Sequence, residues 1–311
     1  MLEGPGRACP ASYGYGARAL NRRPDLEVDT LWVAGGLYGN PFALETLIDL
    51  YEREPGTKAL VFNGDFHWFD VQENQFSRID DAVRGFVATR GNVETELALP
   101  ADGAGCGCGY PDFVDDGTVE RSNRILERLR AVVSNEAKRR LSALPMHLVA
   151  AVADVRVGIV HGDADSLAGW GFSQEALASP AGLAAARRAL AESRVSVFAS
   201  SHSCLPVLQE VGGGLIANNG AAGMPNFRDT RFGLATRISG RSFKKSLYSK
   251  KANGLHVEAV ALPYDHEAWA RCFLEQWPAG SEAHRSYYER ILHGPRYGMD
   301  QAVRGTPALA A

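Results

Sequence analysis

At five places a short apolar run ends in residues able to bind a metal or move a proton. Ala59-Leu60-Val61-Phe62 runs into Asn63-Gly64-Asp65-Phe66-His67-Trp68-Phe69-Asp70. Phe86-Val87-Ala88 runs into Thr89-Arg90-Gly91-Asn92-Val93-Glu94, and Val155 to Val160 into His161-Gly162-Asp163. Val195 to Ala199 leads to Ser200-Ser201-His202-Ser203-Cys204, and Leu31 to Ala34 to Gly35-Gly36-Leu37-Tyr38-Gly39-Asn40. Carboxylate, carboxamide and imidazole groups ligate divalent transition ions and serve acid–base chemistry. Any one tip alone reads equally well as a turn or helix cap. Their recurrence at the ends of successive strands points to the carboxyl edge of an α/β sheet, where such folds place their sites.

The elements needed to hold these tips are legible. Pro41 opens a helix whose Leu44, Leu47, Ile48 and Tyr51 recur at helical spacing, and Pro55-Gly56 ends it. With the runs on either side this makes a βαβ unit with a parallel strand pair. Phe76 to Val83 reads as a helix, and Val119 to Leu144 as one long helix. Leu148 to Val152 and Val155 to Val160 form a hairpin across Ala153-Asp154, and Pro206 to Val211 and Gly214 to Ala217 another around Gly212-Gly213. Pro180 to Glu192 is an outer helix. Phe232 to Ile238 and Leu255 to Leu262 read as antiparallel strands, with the basic run Arg237, Arg241, Lys244, Lys245, Lys250, Lys251 as the loop between them. That run is a solvated loop or a cationic lip for a phosphate-bearing substrate. His266 to Trp277 and Ala283 to His293 are helices; Thr306 to Ala311 reads as a frayed tail. The expected organisation is an irregular leader over 1–28, a domain over 29–264 with an inserted Cys-x-Cys loop and helix at 97–145, and a helical extension over 265–311.

The chain has 311 residues, 45% hydrophobic and 22% charged, with a net charge of −3. This is ordinary globular composition, without the basic field that nucleic acid or an anionic membrane would select. No apolar run is long enough to span a bilayer, and the first twenty or so residues have no apolar signal core. Five cysteines without a spacing framework fit a reducing cytoplasm. Oligomeric state is not readable.

In order and spacing the five tips resemble the calcineurin-like metallophosphoesterase superfamily. Its blocks run Gly-Asp-x-His, Gly-Asp-x-x-Asp, Gly-Asn-His-Glu, a lone His-Gly, and Gly-His-x-His. Here they fall on Gly35 to Asn40, Gly64 to Asp70, Gly91 to Glu94, His161-Gly162 and Ser201 to Cys204. The turn Asn218 to Gly223 and the stretch Leu141 to Pro145 are similar to the small phosphodiesterase branch. The resemblance implies a four-layer αββα sandwich carrying a two-metal centre and a water-dependent phosphoesterase activity on a small phosphate ester.

By that resemblance Asp65, Asn92, His161 and His202 hold one ion, with Mn, Fe or Zn suited to such ligands. The other ion's ligands fall on Gly36, Tyr38 and Cys204. Glycine supplies none, so this position is degenerate, empty or refilled by Tyr38 and Cys204. Val93 replaces the usual catalytic His. His67 is an aromatic neighbour of Phe66 and Trp68 or a substrate contact. Arg90 and Asn40 are candidate substrate contacts, Arg90 through its fork of donors. Cys106 and Cys108 are either surface thiols or extra ligands sent towards the degenerate position. The rival readings are a non-hydrolytic binding protein and a rewired metalloenzyme with Tyr and Cys ligands.

Overall fold

In the computed structural model, which describes residues 4–99 and 103–305, the apolar runs pair into two mixed sheets. The chain lays down strands Leu26–Val28 (β1) and Thr30–Ala34 (β2), helix Pro41–Glu52 (α1), strand Lys58–Asn63 (β3), helix Glu73–Val83 (α2) and strand Val87–Thr89 (β4). Helices Asn92–Ala98 (α3), Asp116–Arg130 (α4) and Asn135–Ala143 (α5) follow. Then come strands His147–Val152 (β5) and Val155–Val160 (β6), helix Pro180–Ser193 (α6), and strands Val197–Ser200 (β7), Val207–Val211 (β8) and Gly214–Asn218 (β9). Strands Phe232–Ser239 (β10), Ser246–Ala252 (β11) and Leu255–Pro263 (β12) form a meander. Helices His266–Gln276 (α7) and Glu282–His293 (α8) and the short strand Val303–Arg304 (β13) complete the described chain. One sheet runs β11-β12-β10-β2-β3-β4, the other β1-β5-β6-β7-β9-β8-β13.

The sheets face each other across one apolar layer. Leu31, Val33, Val61 and Ile238 of the first sheet meet Ala150, Val157, Ile159, Val197 and Leu215 of the second. Each such buried aliphatic side chain contributes roughly 1.5–3 kcal/mol over its exposed state. The outer face of the first sheet carries α1, α2, α4, α5 and α7, through Leu47, Phe76, Leu126, Leu141 and Trp269. The outer face of the second carries α6, through Ala186 and Leu190 against Phe198 and Ile216. The architecture is the expected αββα sandwich.

Local chemistry accounts for the elements that match their expected bounds and for those that do not. Asn40 caps α1, its Oδ1 accepting from the N–H groups of Phe42 and Ala43, with Pro41 in the first turn. Ala153 and Asp154 both sit at positive φ, as the tight hairpin turn between β5 and β6 requires. The expected long helix over 119–144 is instead two helices, because Ser134 caps a new start by accepting from the Ala137 N–H. The supposed loop between β10 and β12 contains an edge strand, β11, with Lys250 and Lys251 on it; edge strands favour such lysines. The leader is not irregular throughout. It buries Tyr13, Ala17 and Leu20, and ends in β1, which pairs parallel with β5. The tail expected at Thr306 to Ala311 lies outside the described residues.

Arg237 of the basic run is buried and paired with Glu54 at 2.8 Å and Glu258 at 2.6 Å. The turn that follows lies where Ser239 pairs with Thr30, at the amino end of β2. That is the pole opposite the strand tips, so the run is not a lip over them.

Candidate metal centre

Asp65 follows β3, Asn92 opens α3 after β4, His161 follows β6 and His202 follows β7. Two tips come from each sheet, and they meet at the seam between the sheets. Asn63 fastens that seam. Its side chain donates to the Val160 carbonyl at 2.7 Å, and its own carbonyl accepts from His161 Nδ1 at 2.8 Å and Ser201 Oγ at 3.0 Å. Gly64 allows the tips to close up: it sits at φ +74°, and a Cβ there would stand 2.5 Å from the Gly91 nitrogen and 2.6 Å from His161 Nδ1.

The four expected ligands converge. His161 Nε2 lies 3.3 Å from Asp65 Oδ2, 3.2 Å from Asn92 Oδ1 and 3.2 Å from His202 Nδ1. Ligand atoms of Asp65, His161 and His202 all fall within 4.8 Å of one another. The outward groups set the tautomers. His161 Nδ1–H donates to the Asn63 carbonyl, His202 Nε2–H to the Cys108 carbonyl at 2.9 Å, and Asn92 Nδ2 to the Cys106 carbonyl at 2.9 Å. The inward atoms are therefore a carboxylate oxygen, an amide oxygen and two imidazole lone pairs. With both imidazoles neutral no donor stands among them; protonated, His161 Nε2 donates to Asp65 Oδ2. Four acceptors this close repel unless a proton or a cation lies between them, and this donor set fits a divalent transition ion.

The electrostatics follow from burial and mutual charge. Burial, then the neighbouring His161, pushes His202 down to about 4. Burial also pulls on His161, but the Asp65 carboxylate outweighs it and leaves its pKa raised. Burial would raise Asp65; the His161 charge and hydrogen bond instead leave it lowered. The second oxygen of Asp65, Oδ1, accepts from the Val93 N–H at 3.2 Å.

Glu94, which the motif reading left without a role, pins the site's loop. Its carboxylate accepts from the N–H groups of Asp65 (2.7 Å), Phe66 (3.0 Å) and Gly91 (2.9 Å). These bonds hold Asp65 at φ +51°, an uncommon conformation outside glycine. The local signal was its place three residues after Gly91, as in a capping box.

The position at which the resemblance would put a second ion is filled by protein. Tyr38 and Cys204, also at positive φ, meet through an Oη–Sγ contact of 2.7 Å. The Tyr38 ring lies where a side chain at Gly36 would go: a Cβ there would stand 2.8 Å from Tyr38 Cε2, Cζ and Oη. Burial, and then the neighbouring sulfur, raises the Tyr38 pKa; burial raises that of Cys204 against the pull of Arg290. Both groups are neutral and engaged with each other, so they are not poised as phenolate and thiolate ligands.

The remaining expected site residues take other places. His67 is buried and turned from the cluster, with Nδ1 2.5 Å from Asp70 and Nε2 3.3 Å from Asp80, its ring stacked on Phe76. It is not a substrate contact. Asn40 is the α1 cap and also donates to the Gly223 carbonyl, so it is fully used inside the fold. Arg90 is committed to the Ser142 carbonyl at 2.9 Å. Cys106 and Cys108 are joined as a disulfide, not free thiols. Their loop does fold over the sheet edge, but it reaches the cluster with its carbonyls.

A cavity of about 230 Å³ opens onto Asp65, Asn92 and His202. Trp68, Tyr110, Trp170 and Tyr287 form aromatic walls, and Arg290 of α8 reaches in with a positive charge. Neither the loops that carry Trp68, Tyr110 and Trp170 nor the periodicity of α8 marked these residues for a site; they arrive through packing of distant segments.

No family model and no curated protein matches this sequence. Solved structures do match. A hypothetical protein of Pyrococcus horikoshii OT3 aligns over 87% of this chain and 100% of its own, with a TM-score of 0.61 at 14% identity. A metallophosphoesterase of Sphaerobacter thermophilus aligns over 86% and 100%, with a TM-score of 0.57 at 13% identity. At these identities the likeness is one of fold.

Proposed function

We propose that this chain, which has the fold of the calcineurin-like metallophosphoesterases, is a metal-dependent phosphoesterase that works with a single ion. The observation that carries this reading is the convergence of Asp65, Asn92, His161 and His202, each with a second polar atom held by a backbone group. These four residues would hold the ion. Bound there, a divalent transition metal supplies Lewis acidity, lowering the pKa of water and drawing charge from a phosphoryl oxygen.

The chain's own residues do the rest. The carbonyls of Asn63, Cys106 and Cys108 aim the ligand atoms inward, as second-shell partners do at metal sites. The Val93 N–H donates to Asp65 Oδ1 and so fixes the orientation of the carboxylate. The Tyr38–Cys204 pair fills the space where a second ion's ligands would stand. The aromatic walls shield the reacting centre from bulk water and suit a small ester with an apolar leaving group.

The test begins with metal content. Protein purified without chelator is expected to retain about one equivalent of divalent transition metal per chain. It should hydrolyse an activated aryl phosphodiester, and Asp65→Asn and His161→Ala should each abolish both retention and turnover. Absence of any retained metal would sink the reading. Metal retention without hydrolysis would favour the rival reading, a non-hydrolytic binding protein, to which the closed Tyr38–Cys204 position lends specific support.

A further inference from the structure

We infer that Arg290 grips the phosphoryl oxygens of the substrate, supplying from a C-terminal helix the positive charge that the degenerate first metal position no longer provides. The inference rests on the phosphoesterase reading for its substrate class. Its structural basis is independent of the metal cluster.

Phosphoryl transfer needs cationic stabilisation of the equatorial oxygens, which two ions share in a two-metal site. Here Gly36 offers no ligand, and Tyr38 and Cys204 are hydrogen-bonded to each other. On chemistry alone, a single-ion centre leaves half of that stabilisation to be found elsewhere. Arg290 is the cationic side chain that lines the cavity with Asp65, Asn92 and His202.

Its guanidinium is held at a fixed position. Nη2 donates to the Cys204 carbonyl at 2.6 Å and Nε to the Pro225 carbonyl at 3.1 Å. Both partners are neutral carbonyls. Among the described residues no carboxylate pairs with Arg290, and Nη1 has no hydrogen-bond partner. A guanidinium braced on two carbonyls keeps its full charge and leaves donors for an incoming anion.

The experiment separates anion binding from turnover. Inorganic phosphate is titrated by calorimetry into metal-free wild type, Arg290→Gln and Arg290→Lys, and hydrolysis is then measured on the metal-loaded proteins. Arg290→Gln is expected to weaken phosphate binding at least ~10-fold, the loss of a charge-assisted hydrogen bond. It should lower kcat by about 10²–10³-fold, as removal of a transition-state charge donor does. Arg290→Lys should recover part of both, and added guanidinium should rescue the smaller Arg290→Ala. Rescue and graded recovery exclude a purely structural role, as does metal retention unchanged from wild type.

Unchanged phosphate affinity and unchanged kcat in Arg290→Gln would overturn the inference while leaving the phosphoesterase reading intact. Arg290-dependent phosphate binding in a wild type that hydrolyses nothing would keep the anion site and remove the hydrolase.

Discussion

Gly36 and Tyr38 should depend on each other in a way that stability measurements can resolve. Gly36 sits at φ +64°, and a Cβ there would come 2.8 Å from three atoms of the Tyr38 ring. Gly36→Ala therefore meets two penalties. The left-handed backbone costs about 1–2 kcal/mol for a residue with a Cβ. The steric conflict with a buried ring costs about 1–3 kcal/mol more, as overpacking does. In a Tyr38→Ala background the ring is gone and only the backbone penalty remains. Tyr38→Ala alone should cost about 3–5 kcal/mol, as loss of a large buried aromatic does. The double mutant should then be less destabilised than the sum of the singles by about 1–3 kcal/mol. Urea unfolding followed by fluorescence of the five tryptophans reads this, provided the slopes agree across the four proteins. Additivity within about 0.5 kcal/mol would show that the ring does not occupy the Gly36 side-chain space. The account of the filled metal position would fall with it. If the coupling is found, any attempt to restore a carboxylate at Gly36 must remove Tyr38 first.

Replacing both Cys106 and Cys108 by Ala frees the loop whose carbonyls hold Asn92 and His202, and should weaken metal affinity about 10–100-fold in a competitive chelator titration. Unchanged affinity would mean that the loop's backbone stays put without its sulfur link. Arg237→Gln strands two buried carboxylates and should cost about 3–5 kcal/mol at neutral pH, measured by urea unfolding. The cost should shrink in acid. The Arg237 hydrogen bond holds the Glu54 pKa below its usual value, so the stability it contributes is complete above the ordinary carboxylate pKa. That stability is lost as pH falls through the lowered one. A gap between wild type and variant that stays constant into acid would contradict this assignment. His67→Phe, which keeps the stacking on Phe76 but breaks the contacts with Asp70 and Asp80, should lower stability and leave the KM for an aryl phosphodiester unchanged.

The candidate metal cluster was legible because each of its residues stands one to four residues beyond an apolar run, and strand direction then fixes which edge it occupies. The choice of Asp65, Asn92, His161 and His202 among the polar residues at those tips came from the resemblance of their order and spacing to the metallophosphoesterase blocks. His67 needed long-range information. It is only two residues past Asp65, but the Glu94 anchor turns the loop so that His67 faces Asp70 and Asp80. Tyr38 and Cys204 read as separate ligand substitutions. Their contact depends on positive φ at both residues, which nothing in their side-chain types announces. The same limit hid β11, whose alternation is masked by lysines, and Arg290, whose helix reads as an ordinary amphipathic segment until it docks.

The position of Tyr287 and Arg290 on α8 also sets an order of assembly. Chains emerge from the ribosome amino end first and fold in units as they emerge. Asp65, Asn92, His161 and His202 are all synthesised before α7 and α8. A growing chain therefore holds every metal ligand before it has the wall that faces them. Cleavage between β12 and α7 would return the protein to that stage: competent to take up an ion, with an open cleft in place of a pocket. On the proposed function, proteolysis there would uncouple metal loading from substrate capture.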